Sequence, residues 1–101
     1  MTRHKVAKVA DMEPGDAHLV EIEGKRIALF RTVTGFHAID AVCPHRGGPL
    51  IEGAVEDDRV TCPWHAWTFD LVSGTCETGT GFKQQVYPVR VENGDVLIEL
   101  F

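Results

Sequence analysis

The chain has 101 residues, 44% of them hydrophobic, which fits one domain able to bury a core. Its formal net charge of −5, from 10 basic and 15 acidic residues, excludes the basic footprint of a nucleic-acid-binding domain. No stretch approaches the roughly 18 apolar residues of a membrane span, so no membrane partner is expected. Three cysteines without an apolar leader point to a reducing, cytoplasmic setting.

Period-two alternation and turn residues dominate the chain. Strands are predicted at Lys5–Ala10, His18–Glu23, Arg26–Thr32 and Phe36–Asp40, then Arg59–Cys62, Trp67–Asp70, Val86–Glu92 and Val96–Leu100. A single helical turn fits around Asp11–Gly15. Gly24-Lys25 and Thr34-Gly35 punctuate two hairpins, and Asn93-Gly94 is the strongest hairpin signal. Val86, Val89 and Val91, then Val96, Ile98 and Leu100, offer apolar faces. No 3.6-residue repeat persists over three turns. The expected class is all-β, an antiparallel sandwich or barrel-like base.

Two short motifs carry the chemistry. Cys43-Pro44-His45 reads C-x-H, and Cys62-Pro63-Trp64-His65 reads C-x-x-H, with sixteen residues, Arg46 to Thr61, between them. Each cysteine precedes a proline, whose fixed φ and missing N–H favour a turn over a continuing strand. Arg46-Gly47-Gly48-Pro49 follows the first motif, and its glycines let the backbone fold around a buried object. Two thiols and two imidazoles form a four-ligand set suited to an iron–sulfur cluster or to zinc. Common zinc fingers put two cysteines in one knuckle and two histidines on a helix, whereas here each knuckle has one of each. A structural zinc module therefore fits the pattern poorly.

The segments Cys43-Pro44-His45-Arg46-Gly47-Gly48-Pro49-Leu50 and Cys62-Pro63-Trp64-His65-Ala66-Trp67, with Phe69-Asp70 and Ser73-Gly74 behind them, resemble the Rieske iron–sulfur family. The resemblance covers roughly Gly35 to Leu100. It implies one [2Fe–2S] cluster, with Cys43 and Cys62 on the inner iron and His45 and His65 on the outer, more exposed one. It also implies a single domain over residues 1–101, in which a smaller cluster-binding lobe, approximately 42–84, is inserted into the β base.

In that family, high-potential members carry a serine and a tyrosine hydroxyl after the second motif and a disulfide between the two loops. The corresponding positions here are Trp67 and Phe69, and Gly48 and Trp64. No hydroxyl and no disulfide can form there. The expectation is a potential toward the lower end of the family's range of about −150 to +300 mV. Such a centre suits a one-electron carrier, not itself an enzyme, that passes electrons from a flavin reductase to a terminal oxygenase. It also suits a small subunit of an NAD(P)H-linked nitrite reductase-like complex. Membrane-anchored relatives need an anchor or export signal, which Met1-Thr2-Arg3-His4-Lys5 does not resemble.

Around the motifs, Trp64 is expected to be exposed in its loop and Trp67 to pack inward. Phe82 is a candidate cover for the cluster, in place of the proline loop of many relatives. Arg46 reads equally as a steering or a solvated charge. Cys76 has no ligand role in the family pattern and reads as a small buried residue. His4, His18 and His37 read as structural or surface residues, and Asp57-Asp58 as a solvated turn.

Overall fold

The computed structural model describes residues 2–42, 49–64, 66–78 and 82–100. Ten strands fall within them: β1 (Thr2–Lys8), β2 (Ala17–Ile22), β3 (Lys25–Thr32), β4 (Gly35–Asp40), β5 (Ala54–Glu56), β6 (Arg59–Thr61), β7 (Thr68–Asp70), β8 (Val86–Tyr87), β9 (Val89–Glu92) and β10 (Asp95–Leu100). Two short 3-10 turns, Val9–Asp11 and Leu50–Glu52, complete the regular structure of these residues. The strands form three sheets, ordered β1-β10-β9, β2-β3-β4-β8 and β5-β6-β7. Every named pairing is antiparallel, as the all-β reading expects.

The four-stranded sheet lies between the other two, and strand β3 shows why. Ile27, Ala28, Leu29 and Phe30 are all completely buried. Ile27 and Leu29 enter a core with Val96, Ile98, Leu100, Tyr87 and Met12. Ala28 and Phe30 enter the other, with Leu50, Val60, Cys62, Phe69, Leu71 and Cys76. A strand covered on both faces reads as a continuous apolar run, not as an alternation. The side chains still alternate, but between two cores.

Asn93 and Gly94 take φ of 51° and 80° between the partners Glu92 and Asp95, the doubly left-handed geometry of a tight hairpin. Glu23 and Gly24, not Gly24 and Lys25, do the same between β2 and β3. The predicted strand Val86–Glu92 is two strands. Pro88 cannot donate to a ladder, and at that point the chain leaves β4 and joins β10. Val89 packs against the core and Val91 stays half-exposed, so the apolar face expected of Val91 is not used. The expected helical turn at Asp11–Gly15 lies slightly earlier, as Val9–Asp11. Strand β5 and the Leu50–Glu52 turn escaped the sequence reading because three residues show no periodicity.

Asp58 is more than a solvated turn residue. Its carboxylate accepts hydrogen bonds from the Thr32 hydroxyl at 2.6 Å and the Thr34 hydroxyl at 2.8 Å, with the His37 ring 3.5 Å away. It thereby ties the β5–β6 turn to the β3–β4 hairpin. The Thr32 and then the Thr34 hydroxyl hold the carboxyl below its ordinary value of 3.8; burial opposes them and His37 assists. A depressed folded-state pKa stabilises above the unfolded value and is lost as pH falls through the folded one. Asp58→Ala is therefore expected to cost about 1–2 kcal/mol at neutral pH. In denaturant melts across a pH series, the difference from the wild type should shrink below about pH 4, where the unfolded aspartate protonates.

Candidate metal centre

Cys43, His45 and His65 lie outside the described residues, as do Arg46, Gly48 and the glycines of the Thr78–Phe82 stretch. The stems that carry these segments are described, and each is closed by backbone pairing. Val42 and Pro49 form a bridge across the first loop, and Leu50 N–H donates to the Ala41 carbonyl at 3.0 Å. Across the second, Cys62 N–H donates to the Trp67 carbonyl at 2.7 Å, continuing the β6–β7 ladder by one step. Across a third, Cys76 N–H donates to the Phe82 carbonyl at 3.0 Å, and Thr75 pairs with Lys83. The ends of each segment are thereby held at fixed, paired positions.

The stems are also neighbours. The first loop returns through Leu50–Glu52 and Gly53 into β5, which pairs with β6, the strand that leads directly into Cys62. Gly53 lies so close to the Thr61 carbonyl and the Val60 side chain that a Cβ would collide with both. The third stem is sewn to the second by Thr68 N–H donating to the Thr78 hydroxyl at 2.9 Å and Glu77 N–H donating to the Thr68 carbonyl at 2.7 Å. The Trp67 and Phe82 rings meet across this seam, centroids 5.4 Å apart and planes tilted 31°.

Cys62 is 1% exposed and packs in the core that holds Leu50, Val60 and Phe69. Beside it in the loop, Trp64 is 49% exposed. Ala66 takes φ of 56°, left-handed backbone that costs an alanine about 1–2 kcal/mol. Strain of this kind, in the residue after His65, marks a turn held by its surroundings. Trp67 is partly buried against the core, as expected, and Phe69 is fully buried. Neither has a hydroxyl. Phe82 is 48% exposed, so it covers Trp67 on one face while presenting the other outward. Behind the first stem, the Tyr87 hydroxyl donates to Asp40 at 2.6 Å; burial, and then that carboxylate, push the phenol above its ordinary range.

Cys76 is buried in the same core as Cys62, as its small-hydrophobe reading expects. His37 stands with Asp58 and His4 within 3.2 Å of Glu23, at sheet positions away from the loops. No group of three or more His, Cys, Asp or Glu among the described residues could hold a metal. The donor chemistry fits a [2Fe–2S] cluster: one described thiol, Cys62, is sunk at the foot of one of two adjacent stems, and the segments those stems carry contain a second cysteine and two histidines in the sequence.

Two Cys–His motifs in the sequence, carried on neighbouring stems of a three-sheet antiparallel scaffold, point to an iron–sulfur protein. Residues 2–92 match the model of the Rieske [2Fe-2S] domain. The chain belongs to that family and holds one [2Fe–2S] cluster. It is 39% identical over 103 residues to the 3-phenylpropionate/cinnamic acid dioxygenase ferredoxin subunit of Shigella flexneri serotype 5b, covering 99% of this chain and 95% of that one. It is also 34% identical over 94 residues to the mouse apoptosis-inducing factor 3, of whose length it spans only 16%.

Among solved structures, a chain from the complex of reduced oxygenase and oxidised ferredoxin in carbazole 1,9a-dioxygenase superposes with a TM-score of 0.88 at 28% identity. That match covers 95% of this chain and 100% of the other. The putative NADH-dependent nitrite reductase small subunit of Mycobacterium tuberculosis gives a TM-score of 0.92 at 27% identity, covering 99% and 96%.

Proposed function

We propose that this chain is the ferredoxin component of a multi-component oxygenase, passing single electrons from a flavin reductase to a terminal oxygenase. The observation that carries this reading is the 39% identity to a dioxygenase ferredoxin subunit over 99% of this chain and 95% of that one. The superposition on a chain from a ferredoxin–oxygenase complex supports the same acceptor class. The likeness to a nitrite reductase small subunit favours a second reading, a permanent electron-transfer subunit of a reductase. Among the described residues no helix is long and apolar enough to cross a membrane. We place the protein in the cytoplasm, consistent with its three cysteines.

In this reading residues 1–101 form one domain, with residues 42–84 its cluster-binding lobe. The thiolates of Cys43 and Cys62 hold the inner iron and the imidazoles of His45 and His65 the outer one. The bound cluster supplies a one-electron couple, with a potential toward the lower end of about −150 to +300 mV. The buried core around Cys62 keeps water from its thiolate. With Trp67 and Phe69 in the hydroxyl positions, two donors that would favour the reduced, more negative state are missing. Trp64 and Phe82 give the tip an apolar rim, and docking buries a small interface there, under about 1,200 Å². The acidic chain suits a partner with a basic surface.

The test is reconstitution: purified protein, a flavin reductase with NADH, and a terminal oxygenase, with electron flow followed by the bleaching of the visible spectrum and by product. Tight co-purification with a reductase chain, and no transfer to any oxygenase, would instead select the nitrite reductase-like reading. Trp64→Ala should leave spectrum and melting temperature unchanged and weaken docking about 10- to 30-fold, the scale of an interfacial tryptophan anchor. An unchanged dependence of rate on carrier concentration would remove Trp64 from the docking rim.

A further inference from the structure

Gln84 is one of three buried polar or charged residues among those described, at 5% exposure, and nothing in the motifs singles it out. Its position explains its burial. The β4–β8 ladder pairs Ala38 with Tyr87 and Ile39 with Val86, and Asp40 N–H then donates to the Gln85 carbonyl at 2.9 Å. There the strand pairing ends. The Gln84 side chain takes over, with Nε2 donating to the Asp40 carbonyl at 3.0 Å and to the Val42 carbonyl at 2.5 Å. Both amide protons are used, and the second bond reaches the residue before Cys43.

The same residue holds the other side of the site. Gln84 N–H donates to the Gly74 carbonyl at 2.7 Å, and the Gln84 carbonyl packs directly on the Gly74 Cα. Gly74 belongs to the turn after β7, where its own N–H donates to the Asp70 carbonyl at 2.8 Å. Strand β7 runs back from there to Trp67, which closes the second loop. Two residues before Gln84, Phe82 closes the third stem. Gln84 is thus the node at which all three stems are tied.

We infer that Gln84 is a positioning residue for the cluster, setting the spacing between the first and second ligand loops through the Val42 carbonyl on one side and Gly74 on the other. The inference rests on the four-ligand assignment above. A shorter or apolar side chain leaves the Asp40 and Val42 carbonyls, both in part-buried bonds, without this donor. The first stem then relaxes outward while both hydrophobic cores stay intact. The effect falls on the ligand geometry ahead of the fold.

The experiment compares the wild type with Gln84→Met, which keeps length and volume but has no donor, and with a core variant matched to it in melting temperature, Ile98→Val or Val96→Ala, in the other hydrophobic cluster. The readouts are the rate of iron loss to a chelator, the electron paramagnetic resonance spectrum of the reduced protein, and the midpoint potential. Gln84→Met should release iron about tenfold faster than the matched variant, the lower end for losing an outer-shell partner, with altered resonance anisotropy. Should Gln84→Met fail to fold, Gln84→Asn keeps the amide one methylene short of spanning both carbonyls and should behave in the same way. Release, resonance and potential equal to those of the matched variant would overturn the inference. A wild type without a [2Fe–2S] spectrum would instead defeat the ligand assignment, so the two failures are distinguishable.

Discussion

Cys62→Ser is expected to give a colourless protein with no bound iron or sulfide and with most of its stability gone. Cys62 is sunk in an apolar core, and its N–H closes the second loop on the Trp67 carbonyl. Serine preserves the backbone but replaces the proposed thiolate ligand with a poor one and buries a hydroxyl among Leu50, Val60 and Phe69. In a small domain that holds a cluster, metal binding and folding are coupled. Loss of the cluster therefore removes a contribution comparable to the whole stability of a small domain, about 5–15 kcal/mol.

Cys76→Ser is the matched comparison, since Cys76 lies in the same core and carries no proposed ligand role. It should keep its red-brown colour and full iron content and lose about 1–3 kcal/mol for the buried hydroxyl. Visible spectra with iron and sulfide analysis on the two variants decide the matter. A coloured, iron-replete Cys62→Ser protein would falsify the ligand assignment at the one ligand position the structure describes.

The sequence discloses most readily what is local. The Asn93-Gly94 turn, the turn at Pro63-Trp64 after Cys62 and the alternation of Val96, Ile98 and Leu100 each depend on neighbours in the chain, and each appears where it is expected. The bonds of Asp58 are not legible in the sequence because its partners, Thr32 and Thr34, are more than twenty residues away, so a two-aspartate turn looks the same whether solvated or bonded. The break at Pro88 was missed for a related reason. Val86 and Val89 look like one strand until it is known that two sheets compete for it. At the metal centre the donor types are readable because each belongs to a three- or four-residue motif. The scaffold that ties the stems together is not, because Gln84, Gly53 and Gly74 act through contacts between distant segments.

Gly74→Ala is expected to be the most damaging single-methyl substitution in the described fold, and a second glycine makes its cause measurable. Gly74 and Gly94 share a φ of 80°. An alanine at either therefore incurs the same left-handed backbone cost, about 1–2 kcal/mol. Gly94 has nothing within 4 Å of where a Cβ would stand, so Gly94→Ala should show that cost alone. At Gly74 the new Cβ would collide with the Gln84 carbonyl oxygen and press on its carbon and on Val86 Cγ1, each at 3.1 Å. The backbone oxygen cannot rotate away, so the turn after β7 must move off the Gln84 segment and loosen the bond from Gln84 N–H to the Gly74 carbonyl. Overpacking of this kind adds about 1–3 kcal/mol. Gly74→Ala should therefore melt roughly 5–20 °C below Gly94→Ala in a domain of this size. Equal melting temperatures for the two variants would mean that backbone strain alone is at work and that the approach of Gly74 to Gln84 is not tight.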